Sequence, residues 1–146
     1  MHVAGKWFEE VAVGERFSSR MTVTETHLVL GAGLIGDFNP HHVDEEYATQ
    51  SRFGSRILHG VLTSAIMGAP VGMHFCGTAM AYLEHAARFK APVRAGDTLT
   101  TVWTVSAKHA KPQQHAGVVV VNGECHNQHG ELVAEGDGKM LVHMRP

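Results

Sequence analysis

The chain has 146 residues, of which 44% are hydrophobic and 18% charged, with a formal net charge of −2. That length and composition suit one buried core, so residues 1–146 are expected to form a single domain. Lys and Arg form no basic run, which argues against nucleic acid as the main partner, and no apolar stretch approaches the roughly 20 residues that span a bilayer.

The opening MHVAGKWFEE has no apolar segment after a basic start, so no secretory leader is expected. Two cysteines, Cys76 and Cys125, fit a reducing cytoplasm. A turn is predicted at Val13-Gly14, followed by a short extended run, SSRMTVT. Thr24 then precedes a helical pattern, ETHLVLGAGLIG, in which Leu28, Leu30, Leu34 and Ile35 offer a buried face. This helix should end near Gly36, before the Asn39-Pro40 breaker. Asp44 is placed to cap a second helix, EEYATQSRF, with Glu45 and Glu46 in its first turn.

The longest apolar segment, ILHGVLTSAIMGAPVGMHF, reads as a buried helix. Its small residues Gly60, Ser64 and Gly68 permit close approach of a backbone or ligand. Beyond Gly77 the period changes to that of strands. TAMAYLEHAARFKAPV ends at Pro92, DTLTTVWTVSAKH alternates, and GVVVVNGECHN and ELVAEGDGKMLVHM flank a turn at Asn127–Gly130. Helices followed by consecutive, mostly antiparallel strands predict an α+β fold, a curved sheet wrapped on one long helix.

The chemistry concentrates between Gly36 and Gly60. Asp37 and His42 are five residues apart with Pro40 between them, which predicts an extended loop. Five residues span roughly 15 Å at most, so a curl brings both side chains to one small volume. A carboxylate and an imidazole facing one water form an acid–base pair. Asn39 can fix the curl by an Asx-type bond, although such residues also serve ordinary turns. His59-Gly60 opens the apolar helix, where free N–H groups carry partial positive charge, and the absent Gly60 side chain lets a carbonyl oxygen approach. Acid, base and oxyanion donor together suffice for chemistry beside a carbonyl.

The stretches GDFNPHHVDEEYA and GSRILHGVLT closely resemble the hydratase motif of the MaoC-like dehydratases, the (R)-specific enoyl-CoA hydratases of the hotdog fold. FEEVAVGERF, TVTETHL, RFKAPVRAGDTLTTVWTV and NQHGELVAEGDGKMLV extend the resemblance over nearly the whole chain. It implies that Asp37 and His42 are the catalytic dyad, that the Gly60 N–H polarises the thioester carbonyl, and that Asn39 and Pro40 hold the loop. It implies reversible syn addition of water to a trans-2-enoyl thioester, giving the (R)-3-hydroxyacyl product, with no cofactor beyond the CoA thioester substrate and with a homodimer or higher homo-oligomer as the working form. Asn39, His59 and Ser64 are the candidate substrate-binding residues. A hotdog thioesterase and a non-catalytic acyl-CoA-binding module are the competing readings, and CoA against acyl carrier protein stays open.

Two positions depart from the family pattern. His41 stands where an apolar residue is usual, and the alternation of an extended loop predicts that it faces solvent. Gly68 stands where some relatives carry a serine, so Ser64 or a water would have to replace a hydrogen bond to Asp37.

Among twelve histidines, the best metal spacing is Cys125, His126 and His129 beside a turn, with no second pair of ligands, and no metal is expected. Trp7 and Trp103 read as packing residues. Arg52, Arg56, Arg88, Lys90 and Arg94 suit either the phosphates of a CoA arm or a solvated rim. Met67, Met73 and Met80 suit either an acyl tunnel or ordinary core.

Overall fold

The computed structural model describes residues 5–146, so the first four residues of the leader reading lie outside the described residues. Strand β1 (Arg16–Thr22) leads to helix α1 (Glu25–Ile35), a one-turn helix α2 (Pro40–Val43), α3 (Glu45–Gln50) and the long helix α4 (Gly60–His74). Four strands follow: β2 (Ala79–Phe89), β3 (Thr98–Lys111), β4 (Ala116–His126) and β5 (Leu132–His143). They form one antiparallel sheet in the order β1-β3-β4-β5-β2, with consecutive hairpins β3-β4-β5 at its centre and β1 and β2 at its edges. The core lies between this sheet and α4, as the α+β reading expected.

Trp103 fixes how α4 seats. Its β4 neighbour is Gly123, whose β5 neighbour is Gly136. A Cβ on either glycine would lie within 2.6 Å and 2.9 Å of the indole, so the two bare positions form the slot that the ring fills. The fully buried indole donates its Nε1–H to the Met67 carbonyl of α4 at 2.7 Å. One side chain thus packs the sheet and ties the helix to it. Met67 is core, whereas Met73 and Met80 are exposed.

Several local expectations change in three dimensions. Helix α1 ends at Gly36, whose φ of 74° closes it in the left-handed region. Its buried stripe, however, is Leu28, Gly31 and Ala32, with Leu30, Leu34 and Ile35 exposed. The cause is Leu62 of α4, which occupies the place of a Gly31 side chain, 2.2 Å from where a Cβ would stand. Leu30 and Leu34 are left to line an apolar groove of about 390 Å³ with Met21, Leu62 and Ile66. Helix α4 starts three residues later than Ile57 and exposes Val61, because only the stripe Thr63, Met67, Pro70 and Val71 faces the sheet. Asp44 caps α3 as expected, its Oδ1 accepting from the Tyr47 N–H at 3.0 Å, but α3 stops at Gln50.

Pro40 opens a helix rather than enforcing an extended loop. It sits in the first turn of α2, where its missing N–H has no partner to lose. Helical spacing then replaces strand alternation, and His41 turns inward, its ring edge-on to Tyr47 and Phe53 at centroid distances of 5.1 and 5.3 Å.

Candidate active site

Asp37 is the first residue beyond the α1 cap. Its Oδ1 accepts the Asn39 N–H at 3.1 Å, and the Asn39 Oδ1 in turn accepts the His41 N–H at 3.2 Å. These two Asx bonds curl the chain into α2. Asn39 therefore acts on the backbone of the loop. His42 lies on α2, held by a two-way bracket to the segment before α4: the His41 carbonyl accepts the Ile57 N–H at 3.1 Å, and His42 Nδ1 lies 2.8 Å from the Ile57 carbonyl.

A carbonyl only accepts, so His42 Nδ1 carries a proton, and the neutral ring keeps its lone pair on Nε2. That lone pair lies 3.8 Å from Asp37 Oδ2. The separation is too long for a direct hydrogen bond and suits one small molecule bonded to both. The His42 side chain is 12% exposed and that of Asp37 46%, so the pair opens to solvent on the carboxylate side.

His59 caps the start of α4 and is 1% exposed. Its Nε2 donates to the Asp37 carbonyl at 2.9 Å, and its ring stacks on His42 at a centroid distance of 3.8 Å. Burial removes it from the substrate contact that the sequence suggested. Its Nδ1 is buried with no partner, at a cost of about 1–3 kcal/mol for such an atom. Gly60 follows, and its N–H meets no acceptor among the described residues. A Cβ there would stand 3.2 Å from the Phe89 ring. The first amides of a helix concentrate positive potential, and this one lies one residue from a ring that touches both dyad members.

Ser64 lies elsewhere. Its Oγ meets His85 Nε2 at 2.7 Å, and His85 Nδ1 meets the Tyr82 hydroxyl at 2.8 Å. The His85 ring stands 3.5 Å from where a Gly68 Cβ would be, so Gly68 makes room for an imidazole. Ser64 therefore does not replace the missing hydrogen bond to Asp37. Burial pushes the Tyr82 hydroxyl up to about 12.

The remaining candidates disperse. Arg56 joins Glu25 of α1 to Glu45 of α3 at 2.6 Å each, and these bonds raise its pKa. Arg88 pairs with Asp137, Lys90 with Glu135, and Arg94 bonds Ser55 and the Phe53 carbonyl. Arg52 stacks over Phe53 at 5.0 Å. Cys125 is buried and burial raises its thiol, while its strand neighbour His126 turns to the other face. Among the described residues, the side chains with metal-ligand spacing are Asp37, His42 and His59, with one nitrogen of each imidazole already bonded to a backbone carbonyl. Sequence reasoning missed the Ile57 carbonyl and His85. The first is backbone, and the second becomes visible only when α4 packs against β2.

A sheet curled on a helix, with a carboxylate facing an imidazole beside the helix start, defines a hotdog-fold protein with a candidate acid–base centre. The MaoC like domain matches residues 10–125, and the chain belongs to the MaoC-like dehydratase family. An (R)-specific enoyl-CoA hydratase of Rhodospirillum rubrum is 35% identical over 139 residues, covering 95% of this chain and 93% of the relative. The unliganded R-hydratase PhaJ1 of Pseudomonas aeruginosa superposes with a TM-score of 0.84 at 30% identity, over 95% of this chain and 86% of the other. A MaoC-like dehydratase from Rhodospirillum rubrum gives a TM-score of 0.82 at 31% identity, over 97% and 99%.

Proposed function

We propose that the protein reversibly hydrates a trans-2-enoyl thioester, CoA-linked, to the (R)-3-hydroxyacyl thioester. The observation that carries this reading is the His42 lone pair 3.8 Å from Asp37 Oδ2, with Nδ1 committed to the Ile57 carbonyl. A water between them donates one hydrogen to Asp37 and the other to His42 Nε2. As its oxygen bonds to C3, the C2–C3 double bond becomes an enolate whose charge falls on the thioester oxygen. The Gly60 N–H donates to that oxygen, an interaction worth about 3–4 kcal/mol for one donor in a dry site. The proton taken from water returns to C2 from the same face, which gives syn addition and restores the dyad. No cofactor enters this scheme.

The working form is a homodimer. Strand β2 is an edge strand of 11 residues, and its exposed side chains include Met80, Leu83 and Phe89. Long apolar edges invite pairing, and a second copy is the partner that closes the sheet and covers the open dyad. No helix among the described residues is long and apolar enough to cross a membrane, and a cytoplasmic location fits two unpaired cysteines. Crotonyl-CoA and longer enoyl-CoA esters, followed by loss of the enoyl-thioester absorbance, test the reading. Release of free thiol without hydration would assign the pocket to thioester hydrolysis instead.

A further inference from the structure

We propose that His59 is a positioning residue of the hydration site, locking the acid, the base and the oxyanion donor into one frame. The inference rests on the hydratase reading and deepens it. Three observations meet on this one side chain: its Nε2–H donates to the Asp37 carbonyl at 2.9 Å, its face supports the His42 ring at 3.8 Å, and its own backbone starts α4 directly before Gly60. Asp37 and His42 sit on a loop and a one-turn helix, elements with little rigidity of their own. Helix α4, in contrast, is anchored to the sheet by the Trp103–Met67 bond, and the segment just before it is tied to the β2–β3 connection by the Leu58 N–H donating to the Val93 carbonyl at 2.7 Å. His59 transmits that rigidity to the dyad.

The donation also fixes its chemistry. The Asp37 carbonyl can only accept, so the His59 tautomer is the one with its proton on Nε2. His59 is 1% exposed, so it reaches the reaction through its neighbours and touches no substrate. Misplacing reacting groups by about an ångström costs on the order of 10²-fold in rate, and the loop has no other side-chain hydrogen bond to α4 or its cap among the described residues.

Two variants of comparable volume separate the roles. His59→Phe keeps a ring under His42 and loses the donor, whereas His59→Gln keeps an N–H near the Nε2 position and loses the ring. On crotonyl-CoA, His59→Phe is expected to lower kcat about 10²-fold with KM within about threefold, and His59→Gln to recover about tenfold of that loss. In amide NMR spectra, His59→Phe should shift the signals of residues 37–42 and leave those of β3–β5 in place. The proposal is overturned if kcat survives within about threefold in both variants, if the loss falls on KM alone, or if the signals of residues 37–42 do not move. Should His59→Phe fail to fold, His59→Gln decides alone: a fall in kcat at constant KM supports positioning, and none refutes it. A wild-type protein inactive on every enoyl ester would refute the hydratase reading, while the NMR comparison still judges the frame.

Discussion

Asp37→Asn separates catalysis from architecture at the centre of the site. In the native loop one carboxylate oxygen accepts the Asn39 N–H at 3.1 Å and the other faces His42 Nε2 at 3.8 Å. An asparagine keeps its oxygen on the Asn39 N–H, because only an acceptor satisfies that donor, and this forces the NH₂ group toward His42. The Asx turn survives and the side chain is nearly half exposed, so thermal stability should change by less than about 0.5 kcal/mol. The chemistry should not survive. The new donor faces the His42 lone pair, and the carboxylate oxygen that accepted the other hydrogen of the water is gone. General acid–base groups contribute about 10²–10⁴-fold, and removing one member of the pair while blocking the other points to the upper half, about 10³–10⁴ in kcat or ~4–5.5 kcal/mol. The assay is hydration of the best enoyl-CoA ester beside a thermal melt of the same preparation. A variant with native melting and kcat within tenfold of wild type would remove Asp37 from the mechanism. A large fall in melting temperature would show that its carboxylate is architectural.

Other perturbations test other layers. Gly123→Ala places a methyl group 2.6 Å from the Trp103 ring, and overpacking at this buried slot should cost about 1–3 kcal/mol, read as a clear drop in melting temperature; an unchanged melt would refute the slot. Tyr82 titrates late because burial disfavours its phenolate. The unfolded chain releases this proton near pH 10 and the folded one near 12, so its stabilising contribution is complete below pH 10 and lost as pH rises toward 12. Phenolate absorbance against pH should show one of the two tyrosines ionising with the high midpoint, and Tyr82→Phe should remove it. Glu15 is pushed up by burial but more strongly held down by the Lys6 ammonium, the Ala12 N–H and His74, for a net lowering below 4.5. Its contribution is therefore present above about pH 4.5 and lost as pH falls through the lower folded value, and Glu15→Gln should flatten this acid dependence of stability. Leu83→Lys puts a charge on the exposed β2 edge and should shift the protein toward the 15.8 kDa monomer in sedimentation, with activity falling together with the dimer.

Local sequence determined what local physics controls. Gly36 ended α1 because its positive φ suits glycine, Asp44 capped α3, and alternation marked the strands. The Asp37–His42 spacing and the His-Gly step before the long helix announced the candidate centre through residue type alone. Tertiary structure decided which faces were used. Leu30 and Leu34 are as apolar as Leu28, yet Leu62 packs at Gly31 and leaves them outside. His41 turned inward because Pro40 began a helix, which the Ile57 N–H holds through the His41 carbonyl. Ser64 went to His85, and His59 beneath His42, through contacts between segments about twenty residues apart that no local pattern encodes. Turns and periodicity act over a few residues, whereas side-chain partnership is settled by which surfaces exclude water together.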